Sequence, residues 1–285
     1  MTTSTGKAIR MGRLFHRDSG RVLGLAFDHA LQLGPLPGME DVGAVIAEAT
    51  EAGVDALILT PGLLERYASQ LQGRDRPAII LRLDHTTMWR VDAPTGYDQG
   101  RTELICSVED AAALGADAVI TFFFTGHGDP ELERRTMAMS GEVSRAARRW
   151  GMVHIAETIW ARNGVAGDPT DPATIALNAR MAAEIGADIV KTPWGGTAES
   201  FEQVVQGAEA PVLVLGGTRD GSDADTLRQT DSILRSGAAG VLFGRTLFQA
   251  DDRPALLRAM AELVHGRAPL NQALSTLEQA HGARV

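Results

Sequence analysis

At 285 residues and 44% hydrophobic composition the chain can bury a large core, and its formal charge of −9 disfavours nucleic acid or an anionic membrane as a partner. The opening MTTSTGKAIRMGRLF has no signal-like apolar stretch and no later run is long enough to span a bilayer, so the cytoplasm is the expected location. A single cysteine, Cys106, excludes an intrachain disulfide and a cysteine-rich zinc site.

Residues 1–20 read as a lead-in that covers one end of the fold. Then a unit recurs along the chain: a helix-like segment, a small turn and a short apolar strand. In chain order the strand candidates are VLGLAFD (22–28), the end of EAGVDALIL (51–59), AIILRLD (78–84) and the end of ALGADAVITF (113–122). They continue with MVHIAET (152–158), the end of EIGADIVKT (184–192), VLVLGG (212–217) and the end of SGAAGVLFG (236–244). The glycine before each of the four composite copies suits a helix C-cap, and the apolar run after it suits a strand covered on both faces. Between strands lie helix-length segments such as 252–264, whose Leu256, Leu257, Met260, Leu263 and Val264 share one side. Residues 266–285 read as a terminal helix or tail. Eight β/α units with no linker predict one α/β domain over 1–285, a (β/α)₈ TIM barrel.

In such barrels chemistry collects where strands end. Asp28 and His29 end the first strand and Asp84 and His85 the third; His127 follows the fourth. Glu157 ends the fifth, Lys191 the sixth, and Gly216-Gly217 and Gly244-Arg245 the last two. Of 27 basic residues only Lys7 and Lys191 are lysines. An amine kept beside Ile189, Val190 and Trp194 is poorly solvated, and a neutral amine attacks a ketone to form an imine, an electron sink for breaking a neighbouring C–C bond. Arginine cannot do this because its guanidinium stays protonated. The alternative is a salt bridge from Lys191 to Asp28 or Glu157.

Asp28 is the first candidate for moving the substrate hydroxyl proton and Glu157 the second. The alternative for either acid is to orient Lys191 or serve as its counterion. His29 and His85 are candidates to hold substrate hydroxyls or relay protons, against a structural role for each. His154, in the fifth strand at the register of Ala156, is open to a place on the lumen face but is not expected to touch the reacting group. LGGTRDGS (215–222) and FGRTLF (243–248) sit where barrels bind phosphate, so Gly216, Gly217, Gly244 and Arg245 are the expected phosphate grip. No dinucleotide or ATP pattern occurs. Asp84, His127, Trp194, Arg162 and Arg219 remain possible substrate contacts. Asp28, His29, Asp84, His85 and His127 contain the ligand types for a divalent metal, but a metal enzyme has no need of a lysine electron sink. No metal and no cofactor is expected.

FDHA (27–30), GADIVKTPW (186–194), LGG (215–217) and GRTLFQ (244–249) resemble the DhnA-type class I fructose-bisphosphate aldolases of the DeoC/LacD superfamily, over about nine-tenths of the chain. The resemblance implies a barrel working through a lysine Schiff base at Lys191, an acid role for Asp28, phosphate at Gly216, Gly217, Gly244 and Arg245, and a homo-oligomer. One departure stands out: where relatives carry a YPRG-like pattern with a proton-donor tyrosine, this chain has ETIWARNG (157–164). Glu157 resembles a glutamate of tagatose-bisphosphate-type relatives. The expected reaction is cleavage or formation of a ketose phosphate, by default fructose 1,6-bisphosphate, giving dihydroxyacetone phosphate and an aldehyde. The alternatives are a relative using the same lysine for acyl transfer or another sugar-phosphate condensation, a metal-dependent lyase, and a non-catalytic phosphate-binding barrel.

Overall fold

The computed structural model describes residues 4–90, 95–97, 100–161 and 168–282. Its strands are β1 (Val22–Ala26), β2 (Ala56–Leu59), β3 (Ala78–Arg82), β4 (Asp84–Thr86), β5 (Thr102–Leu104), β6 (Ala118–Thr125), β7 (Val153–Trp160), β8 (Ile189–Thr192), β9 (Val212–Leu215) and β10 (Gly240–Phe243). Eight of them close a parallel barrel in the order β1-β10-β9-β8-β7-β6-β3-β2, so every strand candidate in the sequence has its counterpart. The hairpin β4–β5 was not anticipated. The third strand stops at Arg82 rather than Asp84 because the Leu83 carbonyl accepts from the amides of Ile105 and Cys106, and Asp84–Thr86 then pairs antiparallel with Thr102–Leu104.

Strand alternation sorts the core into two shells. Ile58, Ile80, Ile120, Ile155, Ile189 and Leu242 fill the lumen, while Leu57, Leu81, Val119, Ala156, Val190 and Val241 pack outward among the helices. Helix punctuation is local: Ser107, Thr197 and Ser222 form capping boxes, and Gly186 ends the helix Pro172–Ile185 at φ 110°, a conformation L side chains rarely adopt.

The lead-in forms the helix Thr5–Leu14, whose Leu14 joins the lumen cluster. Lys7 Nζ donates to both oxygens of Asp188 at 2.8 and 2.7 Å, and Asp188 Oδ2 also accepts from the His154 amide at 2.9 Å. One of the two lysines is thereby committed to stapling the lead-in helix to the start of β8. No helix among the described residues is long and apolar enough to cross a membrane.

Candidate active site

Two residues beyond the apolar lumen layer, the same strand faces turn polar. Ile80 is followed by Arg82, Ile120 by Phe122, Ile155 by Glu157 and Ile189 by Lys191, each on the inward side by the two-residue period. The register sets Phe122 beside Glu157 and Glu157 beside Lys191 on three adjacent strands. Asp28, two residues past the lumen residue Ala26, joins the same layer.

Lys191, 4% exposed, donates from Nζ to Glu157 Oε1 at 2.7 Å. The other Glu157 oxygen accepts from Arg82 Nη2. Arg82 Nε donates to Asp28 Oδ2 at 2.7 Å and Nη1 to Asp84 Oδ1 at 3.2 Å, and the guanidinium lies 3.9 Å from the Phe122 ring centroid. Asp84 Oδ2 accepts from the Phe122 amide at 2.7 Å. Three carboxylates thus share two cations in a buried layer. The salt bridge from Lys191 to Glu157, the alternative weighed against an amine free to react, is present.

The charges sort the acids. Burial pushes the Asp28 carboxyl up, but Arg82, His29 and Lys191 outweigh it and bring it down to about 2. Burial acts on Glu157 too, and Lys191 and Arg82 hold it below the usual carboxylate range. For Asp84 burial wins over Arg82, pushing it up to about 7.

His29 opens the short helix His29–Leu33, with Nδ1 3.6 Å from Asp28 Oδ1 and its ring edge-on to Phe248. Burial pulls it below the usual imidazole range, against the opposing pull of Asp28; the positive charges of Lys191 and Arg245 push the same way as burial. The end of β10 makes room for this ring: a Cβ on Gly244 would lie 2.1 Å from His29 Cε1. The ends of β9 and β10 also meet, the Gly216 carbonyl accepting from Thr246 Oγ1 at 3.2 Å. Gly216, Gly217 and Thr246, with Trp194, line a cavity of about 850 Å³ on whose wall Lys191 does not lie. Arg245 begins the short helix Arg245–Phe248.

Of the other expected contacts, Trp194 and Arg219 line the same cavity as Gly216 and Gly217. His85 pairs with Glu103 in the β4–β5 hairpin, on the opposite strand face from Asp84, and is pulled below the usual imidazole range by burial and Arg90 rather than by any charge of the Lys191 group. Arg219 is held within the protein, donating to the Gln249 carbonyl at 2.6 Å and to Asp251 Oδ2 at 2.7 Å and lying 2.9 Å from Asp223. Trp194 packs on Phe201, with centroids 4.6 Å apart. His127 is buried beside Phe124, with Glu133 and Asp129 as its charged neighbours. His154 does not face the lumen: its nitrogens lie 2.9 Å from the hydroxyls of Thr121 and Ser144, and burial brings it down to about 3. Arg162 lies outside the described residues. The five residues considered as metal ligands are not gathered, and among the described residues no group of three His, Cys, Asp or Glu side chains could hold an ion.

Arg82, which joins Asp28, Asp84 and Glu157, was not singled out in the sequence. Its signal was an arginine inside an apolar strand, two residues before Asp84 and so on the same face.

A model of the DeoC/LacD family aldolases matches residues 22–250. An uncharacterized aldolase of Saccharolobus solfataricus is 34% identical over 96% of this chain and 99% of its own length. The 2-amino-4,5-dihydroxy-6-oxo-7-(phosphonooxy)heptanoate synthase of Streptomyces griseus is 31% identical over 97% of both. The crystal structure of an archaeal fructose 1,6-bisphosphate aldolase superposes with a TM-score of 0.79 at 29% identity, over 91% of this chain and 99% of the other. Fold and relatives together define a class I, Schiff-base aldolase built on a TIM barrel. The chain belongs to the DeoC/LacD family of aldolases.

Proposed function

We propose that the protein cleaves or forms a ketose phosphate whose three-carbon product is dihydroxyacetone phosphate, with fructose 1,6-bisphosphate as the substrate, and that Lys191 is its imine-forming residue. The observation that carries this reading is the burial of Lys191, 4% exposed, in one layer with both Asp28 and Glu157 at the barrel mouth; the ion pair with Glu157 holds the resting amine and sets an acceptor for its proton 2.7 Å away.

Neutral Lys191 attacks the C2 carbonyl, and Glu157 takes and returns protons at the carbinolamine as water leaves. Asp28 removes the C4 hydroxyl proton while the C3–C4 bond breaks. Its electron pair passes to the iminium, giving an enamine and releasing the aldehyde. Protonation at C3 and hydrolysis free the ketone and regenerate the amine. His29 holds a substrate hydroxyl. The donor phosphate lies at Gly216, Gly217, Gly244 and Arg245, across the mouth from β6.

The Streptomyces griseus relative favours a second reading. The product in its name has a ketone at carbon 6, hydroxyls at 5 and 4, and a phosphonooxy group at 7. An aldol disconnection between carbons 4 and 5 gives dihydroxyacetone phosphate and a four-carbon amino-acid aldehyde. The donor half is the same, so aldehyde choice separates the two readings.

Incubation with dihydroxyacetone phosphate and borohydride, followed by intact mass and peptide mapping, tests the shared step. A stable adduct on Lys191, lost in Lys191→Met, is expected. No adduct with protein that is active on another ketone would refute the donor assignment. Turnover of fructose 1,6-bisphosphate with no condensation onto an amino-acid aldehyde supports the first reading, and the reverse supports the second.

A further inference from the structure

Arg82 has no exposed surface, and each of its three nitrogens donates to a different acid: Asp28, Asp84 and Glu157. Its place in the lumen, one layer above Ile80, is one an apolar side chain fills without desolvating any charge. A buried guanidinium with three carboxylates is a costly arrangement, and well-packed apolar residues often replace such networks with no loss of stability. Packing therefore does not account for it.

We infer that Arg82 is a positioning residue of the aldolase reaction: its planar fork fixes the Glu157 and Asp28 carboxylates around Lys191, so that each acid meets the amine or the substrate hydroxyl in one geometry. This rests on Lys191 as the reacting amine. A lysine at 82 would supply the charge but not the fork, because an ammonium is a compact point charge on a flexible stem. Phe122 fixes the guanidinium plane from one face, and its amide fixes Asp84 from behind. Arg82 pulls all three acids down, and Lys191 adds to that pull on Asp28 and Glu157 while burial prevails at Asp84. Asp28 and Glu157 stay ionised as bases, while Asp84, raised to about 7, is the one able to hold a proton near neutrality.

The test uses Arg82→Met and Arg82→Lys, each checked for folding by thermal melting. With only two lysines in the chain, Lys7 is an internal standard at the far end of the barrel. The proteins are acetylated briefly near neutral pH and the Lys191 to Lys7 labelling ratio is read by peptide mapping. In Arg82→Met the Asp28 and Glu157 carboxylates face Lys191 with no competing guanidinium, and the ratio is expected to fall by about fivefold or more. Arg82→Lys is expected to recover part of it. With substrate, kcat should fall about 100-fold in Arg82→Met and about tenfold in Arg82→Lys, with KM within about threefold. The acid limb of kcat should move to higher pH, because both bases lose the guanidinium that keeps them ionised.

A folded variant with an unchanged labelling ratio, or with parental kcat and acid limb, would overturn the inference. Should Arg82→Met fail to fold, Arg82→Lys, which keeps the charge, decides the matter. The labelling needs no substrate. A changed ratio in a protein that ignores fructose 1,6-bisphosphate therefore supports the role of Arg82 and counts against the substrate assignment alone.

Discussion

Replacing Glu157 by glutamine keeps the shape of the side chain and removes its charge. In the parent one oxygen accepts from Lys191 at 2.7 Å, the other accepts from Arg82, and the side chain is 7% exposed. Removing one partner of a buried ion pair costs about 3–5 kcal/mol. Asp28 and Asp84 still neutralise Arg82, so the lower end, about 3 kcal/mol, applies. For a barrel of this size that corresponds to a fall in Tm of roughly 6–12 °C. Loss of the group that moves carbinolamine protons should lower kcat by about 10²–10⁴.

The linkage has a definite sign. The carboxyl is held below its unfolded-state value of 4.5. Its contribution is thus fully present above that value and is lost as pH falls through the folded value. The stability gap between parent and variant should accordingly close in acid. Calorimetry near neutral pH and in acid, with turnover on fructose 1,6-bisphosphate, makes the measurement. A Glu157→Gln protein melting within about 2 °C of the parent and turning over within about threefold would refute the reasoning.

Lys7→Met breaks the contact with Asp188 and should destabilise the fold by on the order of 2–4 kcal/mol in urea titration while leaving adduct formation on Lys191 intact. His154→Gln tests a buried neutral imidazole. Because His154 is brought down from 6.5 to about 3, only the unfolded chain binds its proton between those values, and stability falls as pH drops through that window. Between about pH 7 and about pH 5 the parent should lose on the order of 2 kcal/mol more than the variant, and superimposable urea midpoints would show that the imidazole is not neutral in the fold. Gly244→Ala places a methyl 2.1 Å from the His29 ring. It should cost about 1–3 kcal/mol and raise KM for the phosphorylated substrate more than it lowers kcat, as steady-state kinetics would read.

The eight strands were legible because each is a short apolar run, four of them behind a capping glycine, a pattern written in consecutive residues. The polar strand ends were legible for the same reason. Asp28, Glu157 and Lys191 each terminate or interrupt an apolar run, and the two-residue period assigns each a face. Arg82 carried that signal as well, but a lone arginine in a strand does not name its partners. Asp28 lies 54 residues away from it and Glu157 75. Their meeting depends on which strands become neighbours across a closed barrel and with what register. The same holds for how other expected residues are held. His85 and Asp84 are consecutive, so a local reading placed both at the mouth, whereas the hairpin with β5 sends them to opposite faces. Arg219 sits in a loop suited to an anion, and only the approach of Asp251 and Gln249 shows that its donors are already engaged. Periodicity and turn chemistry thus determined the barrel and which residues reach its mouth. Closure and register decided which of them touch, because contacts between distant strands depend on the geometry of the whole sheet and leave no local mark in the chain.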